Sequence, residues 1–114
     1  MSLQNLSKIG QLVEHVAYKA IVQYSTVALY ANGYRPSKSR PGHHQTMIQS
    51  LVHSIDLGND DRLLLDTFRV KRNAADYTGE LVDEGSVADC IDAALHLQRQ
   101  LQSWLEENRP DLVD

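Results

Sequence analysis

Apolar residues recur at helical spacing along most of this chain. Near its start, one row repeats every seven positions and a second, partial row lies beside it. The first row is Leu6, Val13, Ala20 and Val27, and the second is Ile9, Val16 and Tyr30. A stripe of this width is typical of a bundle helix that buries one face. The pattern predicts a helix over residues 6–31, ended by Asn32 and Gly33 because glycine tolerates the left-handed conformation at a helix C-terminus.

A loop and three further helices follow. Residues 34–42 hold two prolines, two serines and a glycine, a composition that excludes a regular element. Apolar positions at helical spacing then predict helices over residues 43–55, 61–76 and 86–108. In sequence, no stretch shows a strand-like alternation of apolar and polar residues that rivals these helical patterns.

The last predicted helix carries the clearest signals. Ser86 and Asp89 match a variant of the capping box, which favours a helix N-terminus at Ser86. Two apolar rows follow: Val87, Ala94 and Leu101, and beside them Cys90, Ile91, Leu97, Trp104 and Leu105. Four amphipathic helices with mostly short connections predict an all-α fold. We expect an antiparallel up-down four-helix bundle formed by a single domain over residues 1–114.

The third predicted helix carries an arginine on its apolar face. On a helical wheel, the residues within roughly 60° of Phe68 include Leu64, Leu65, Arg72 and Ala75. An unpaired guanidinium is costly to bury, so Arg72 needs a partner, a wet cleft or a ligand. One interpretation is an ion pair with Asp76, one helical turn further on. The other is an anion site, because guanidinium binds phosphate bidentately and stays charged at physiological pH.

The neighbours of Arg72 include several hydrogen-bond donors. Arg69 and Lys71 flank it, Asn73 follows it directly, and Tyr77 ends the segment. Together these side chains form a compact set of donors suited to phosphate.

Residues 68–79 resemble the HEPN family of small helical domains. In members that act as RNase toxins, an arginine is followed by a polar residue and, after a short spacer, by a histidine. Here Arg72 and Asn73 match the first two positions, whereas Tyr77 stands at the histidine position, within an Ala-Asp-Tyr sequence common in non-toxin branches. The number and order of predicted helices extend the resemblance over most of the chain.

The resemblance implies a homodimer in which two motif segments face a shared cleft. It further implies a module that binds a nucleotide or an RNA phosphate, or that pairs with a minimal nucleotidyltransferase in a toxin–antitoxin-like system. The ligand-binding residues would be Arg69, Lys71, Arg72, Asn73, Tyr77 and His44. Two alternatives stay open: an active metal-independent RNase toxin that uses Arg72, Asn73 and His44, and a purely structural dimer with a vestigial cleft.

The tyrosine at the histidine position argues against RNA cleavage. A histidine titrates near ~6.5 and exchanges protons at neutral pH, whereas a tyrosine titrates near ~10 and is a poor general base there. Tyr77 can still hydrogen-bond a phosphate or stack on a base. The sequence therefore predicts a binding module without nuclease activity, unless His44 comes near Arg72 in the fold.

His43 and His44 begin the second predicted helix, directly after Pro41 and Gly42. At a helix N-terminus, backbone N–H groups and the helix dipole favour an anion, so the pair could help to bind phosphate. The alternative is two solvent-facing histidines.

Composition narrows the function classes. Apolar residues make up 42% of the chain and charged residues 23%, as in an ordinary globular protein. The net charge of −4 is unevenly divided: residues 1–55 hold five basic residues and one acid, and residues 56–114 hold six basic residues and fourteen acids. An acidic chain is a poor non-specific nucleic-acid binder, so any nucleotide or RNA contact must be local.

Several site classes lack support in the sequence. Cys90 is the single cysteine and lies in an apolar helical row, which predicts a buried, inert thiol and no intrachain disulfide. The histidines lack zinc-ligand spacing, and neither a metal nor another cofactor is expected. No apolar run approaches the ~20 residues that span a bilayer, and no secretory signal is evident, so we expect a cytoplasmic protein without membrane contact.

Overall fold

A computed structural model describes residues 3–35, 43–78 and 84–113, and it describes side chains over residues 9–35, 43–74 and 85–113. These residues form four α-helices and one short 3-10 turn, and no strand is present among them. The helices are α1 (Leu3–Ala31), α2 (His43–Ser54), α3 (Asn59–Thr78) and α4 (Glu84–Asn108), followed by the 3-10 turn Pro110–Leu112. The prediction of an all-α, four-helix protein is confirmed.

The face that α1 buries is not the one that the sequence pattern predicted. Five members of the two predicted apolar rows are exposed: Ile9, Val13, Val16, Val27 and Tyr30. The buried face instead consists of Glu14, Ala17, Tyr18, Ile21, Ser25, Ala28 and Ala31. Small residues dominate this face, and small residues on α4 join the same core cluster. Alanine and serine let two helices approach closely, and their low hydrophobicity makes such a face hard to detect from sequence.

As a result, α1 presents a second apolar surface to solvent. We call it the α1 stripe, and its members are Ile9, Leu12, Val13, Val16, Val27 and Tyr30. Leu12 is 64% exposed and Val16 is 59% exposed. Single exposed apolar residues are ordinary, but a row of six along one helix is typical of an interaction surface.

The predicted apolar rows of α4 agree better with the structure. On α4 the buried apolar residues are Cys90, Ala93, Ala94, Leu97, Leu101 and Leu105. Met47, Ile48 and Leu51 of α2 are buried as well, and so is Ile55, which follows directly after that helix. Burial raises the pKa of the Cys90 thiol to about 11, as expected for an inert cysteine.

Two details of α3 and α4 differ from the prediction. Leu65 and Phe68 are buried, but Leu64 is 44% exposed and does not belong to the core face. The helix α4 begins at Glu84, so Ser86 lies inside its first turn instead of capping it. The Ser86 hydroxyl accepts a hydrogen bond from Nζ of Lys71 at 3.1 Å, which links α4 to α3.

The C-terminal end of α1 is fixed by polar contacts. Gly33 adopts φ 85°, the left-handed conformation that the sequence predicted there. The Asn32 side chain donates to the Ser54 carbonyl at 2.9 Å, and Arg109 Nη1 donates to the Ala31 carbonyl at 2.8 Å. These bonds hold the ends of α1, α2 and α4 together, away from the motif segment. No described helix is both long enough and apolar enough to cross a membrane.

Candidate functional site

Three helices line a cleft of about 320 Å³ that contains the predicted motif residues. We call it the three-helix cleft. The polar side chains lining it are His15, Tyr18, Lys19 and Gln23 from α1, His44 from α2, and Arg72 and Asn73 from α3. The fold therefore brings Arg72, Asn73 and His44 to one place, although His44 is far from the other two in sequence.

Arg72 is held by an acid from α1. Its Nη1 donates to Oε2 of Glu14 at 2.9 Å, across 58 positions of sequence. The Glu14 residue is only 2% exposed, while the Arg72 side chain is 17% exposed and faces the cleft. The sequence had suggested Asp76 as a partner, but its side chain lies outside the described residues. Glu14 satisfies much of the need for a counter-charge that the burial of Arg72 creates.

A second polar contact joins α1 to α2 at the cleft. The Tyr18 hydroxyl lies 3.1 Å from Nδ1 of His44. Burial raises the pKa of Tyr18 to about 12, so the phenol keeps its proton at neutral pH. Either group can donate in this contact: when the phenol donates to Nδ1, the imidazole proton lies on Nε2, and when Nδ1–H donates to the phenol oxygen, Nε2 is free to accept.

The surroundings of His44 favour the neutral imidazole. Partial burial lowers its pKa below the usual value, and the neighbouring His43 and Arg69 lower the pKa further. Its Nε2–H can donate to a phosphate oxygen, and on protonation the ring adds a positive charge to the cleft.

Two further predicted ligand residues, Arg69 and Lys71, are engaged outside the cleft. Arg69 donates from Nε to Asp66 at 2.7 Å, and this hydrogen bond raises the pKa of Arg69. Lys71 donates to Ser86, and neither Arg69 nor Lys71 lines the three-helix cleft. The side chain of Tyr77 lies outside the described residues, although its backbone belongs to α3.

The contribution of α1 to the site was missed from sequence. Glu14, His15, Tyr18 and Lys19 lie on a helix that the pattern assigned only to packing. Glu14 was the one available signal, because it is the single acid among residues 1–55. A lone acid between apolar residues of a long helix points to a partner of opposite charge.

His15 contributes a buried nitrogen, Nδ1, without a hydrogen-bond partner among the described residues. A buried polar atom usually has a partner, so a ligand atom or a water in the cleft would satisfy it.

The charge of the cleft suits a small anion better than a cation. Arg72 and Glu14 offset each other, which leaves Lys19 as the remaining lysine, arginine or carboxylate among the described lining residues. No group of three metal-ligating side chains occurs in the described part of the chain. Comparisons of the chain with protein-family models, curated proteins and solved structures found no match.

Proposed function

We propose that this protein is a HEPN-like helical binding module that holds a phosphate group of a nucleotide or an RNA in the three-helix cleft. The observation that carries the proposal is the meeting of Arg72, Asn73 and His44 in that cleft. Its helices would form the family's antiparallel up-down bundle, and the module would act as a homodimer that does not cleave RNA. The resemblance adds a minimal nucleotidyltransferase as a possible partner in a toxin–antitoxin-like system.

The chemistry of the lining residues supports a single phosphate as the ligand. Arg72 supplies guanidinium N–H donors oriented by its ion pair with Glu14, Lys19 supplies a mobile positive charge, and Asn73 supplies a neutral amide. His44 supplies an Nε2–H donor in the tautomer whose Nδ1 accepts from Tyr18. The overall acidity of the chain limits attraction to long nucleic acids, so recognition would stay local.

Binding of adenosine monophosphate and of a short single-stranded RNA tests this proposal. We expect saturable binding, and His44→Ala should weaken it about tenfold, because a hydrogen bond to a charged group contributes about 1.5 kcal/mol or more. Titration calorimetry measures the affinities. His53→Ala is the matched control, since His53 lies exposed on the same helix and does not line the cleft. Equal affinity of wild type and His44→Ala would exclude His44 from the site.

We expect anion affinity to rise as the pH falls through the pKa of His44. The folded protein holds this pKa below its usual 6.5, and an anion binds the protonated ring more tightly than the neutral ring. The gain should therefore be small near pH 7 and grow at lower pH. A phosphodiester such as the RNA oligonucleotide is the proper probe, because it keeps its charge in this range while a phosphate monoester titrates near pH ~6.

Variants separate the groups that could cause this pH dependence. His44→Gln should make the affinity for the RNA oligonucleotide nearly independent of pH. His15→Gln tests whether the other histidine of the cleft contributes to the pH dependence. If His44→Gln leaves the slope unchanged, then His44 does not couple proton and anion binding.

We expect the purified protein to leave RNA intact and to cause no growth arrest when overproduced. Tyr77 does not titrate near neutrality and cannot replace the histidine of the toxin motif. Tyr77→His restores the residue types of that motif in order and should produce weak cleavage. Electrophoresis of labelled RNA after incubation measures both results.

One observation favours the alternative of an active RNase. His44 lines the same cleft as Arg72, and the tautomer in which Nδ1–H donates to the Tyr18 oxygen leaves Nε2 free to accept a proton. If the unmodified protein degrades RNA, His44→Ala should abolish the activity while His53→Ala retains it. Such a result would replace the binding module by a metal-independent nuclease.

A further inference from the structure

A second cavity, of about 430 Å³, lies between α3 and α4. It shares no lining residue with the three-helix cleft. Its floor consists of Leu57, Leu65 and Leu97, all buried, together with Ala93. The cavity is therefore an apolar depression that opens to solvent on one side.

Loose packing between the two helices explains the cavity. Among the described residues, the contact between α3 and α4 is less extensive than the contact between α1 and α4. At the floor, α4 presents Ala93, a side chain too small to fill the space. Leu64 stands in the wall and is 44% exposed. Core packing thus leaves exposed apolar surface that a small ligand would cover.

Three of the four polar residues that line the cavity are acidic. The four are Asp61, Asp89, Asp92 and His96, and no described lysine or arginine lines the cavity. His96 Nε2 lies 3.1 Å from Asp61 Oδ2, so these two side chains engage each other. Asp89 and Asp92 make no ion pair with a described residue. The cavity consequently joins an apolar floor to two carboxylates that lack a counter-charge in the described structure.

We propose that this cavity binds a small organic amine with an apolar body. The body covers the leucine floor, and the protonated amine lies beside Asp89 and Asp92. Charge complementarity decides between ligand classes: the exposed carboxylates of Asp89 and Asp92 repel an anion of the same shape, attract an ammonium group, and add no charge attraction for a neutral molecule. The volume lies within the range of ordinary small-molecule pockets, roughly 300–1,000 Å³.

Three isosteric probes test the proposal on the full chain: 3-phenylpropylamine, 3-phenylpropanol and 3-phenylpropionate. Backbone amide NMR shifts locate the binding. We expect saturable shifts in residues 57–65 and 89–97 with the amine, weaker shifts with the alcohol, and none with the carboxylate. Equal binding of the amine and the alcohol would overturn the charge argument, and an absence of saturable shifts with the amine would overturn the site.

Charge-matched variants test the role of the two carboxylates. The double variant Asp89→Asn/Asp92→Asn should weaken amine binding about fivefold, in line with exposed ion pairs. Its control is Glu106→Gln/Glu107→Gln, which removes the same charge from exposed positions of α4 outside the cavity. The control should bind the amine like the wild type, and an equal loss in both double variants would contradict a local site.

A blocking variant distinguishes a small ligand from a protein partner. Leu64→Lys places an aliphatic stem and an ammonium at the wall of the cavity, and the exposure of Leu64 allows this change without unfolding. It should abolish amine binding and leave self-association unchanged. If it abolishes self-association instead, a second copy covers the cavity and the amine site is wrong.

Discussion

Replacing Arg72 with methionine is expected to destabilise the protein by about 3 kcal/mol or more. The change leaves the carboxylate of Glu14 without its ion-pair partner at a position that is only 2% exposed. Removing one partner of a buried ion pair lowers the free energy of unfolding more than removing both partners. The reason is that Glu14 would stay desolvated without an opposite charge beside it. Urea unfolding followed by circular dichroism gives the change in the free energy of unfolding.

A control and a double variant isolate the ion pair. Arg69→Met removes an arginine from the same helix, but its partner Asp66 is more exposed than Glu14, so the loss should stay below about 1 kcal/mol. Glu14→Leu/Arg72→Met removes both charges and should recover much of the stability lost in Arg72→Met. If Arg72→Met costs no more than Arg69→Met, the contact with Glu14 does not hold α1 to α3.

The instability expected of Arg72→Met complicates a binding assay. An unfolded variant cannot bind phosphate, so a loss of binding in Arg72→Met would not identify Arg72 as a ligand residue. The double variant with Glu14→Leu is the better test, provided that it folds. Reduced phosphate binding in a stable double variant would assign Arg72 to the ligand, whereas unchanged binding would leave it a purely structural role.

Val16→Asp is expected to raise the dissociation constant of the proposed homodimer by about a thousandfold. The α1 stripe exposes large apolar side chains along one helix, and its burial against a second copy would supply the driving force. Burying one such side chain contributes about 2 kcal/mol, and in a two-fold symmetric dimer each substitution acts twice. About 4 kcal/mol corresponds to about three orders of magnitude in affinity.

Sedimentation velocity over a range of micromolar concentrations measures this effect. Val70→Asp is the matched control, because Val70 is 51% exposed on α3 and lies outside the α1 stripe. It should leave the dimer unchanged. A wild-type chain that remains monomeric over the whole range would contradict the proposed dimer, and equal loss in both variants would place the interface elsewhere.

Local signals in the sequence determined the helices. The apolar spacing and the turn residues predicted four helices, and Gly33 adopts the left-handed conformation where the pattern ends the first one. The buried row of α4 was also evident, because Cys90, Leu97 and Leu101 carry large or apolar side chains on one side. These features depend on neighbours within a few turns, which the sequence displays directly.

The tertiary structure alone decided which face of α1 is buried. That helix has two candidate faces, and counting large apolar residues favours the one with Val13, Val16 and Val27. The structure buries the face with Ala17, Ile21 and Ala28 instead, as close helix approach would favour. Pattern counting could not anticipate this choice, because it depends on the surfaces that α2 and α4 present in return.

In the three-helix cleft, too, the sequence indicated one feature and the tertiary structure decided the others. The sequence indicated that Arg72 on an apolar face requires a partner or a ligand, since a buried guanidinium cannot stay without a counter-charge. It could not show that Glu14 lies 2.9 Å away, or that His44 meets Tyr18 beside the same cleft. These contacts join residues that are far apart in the chain. Their distances are set by how the helices cross, and helix crossing depends on the packing of the entire core.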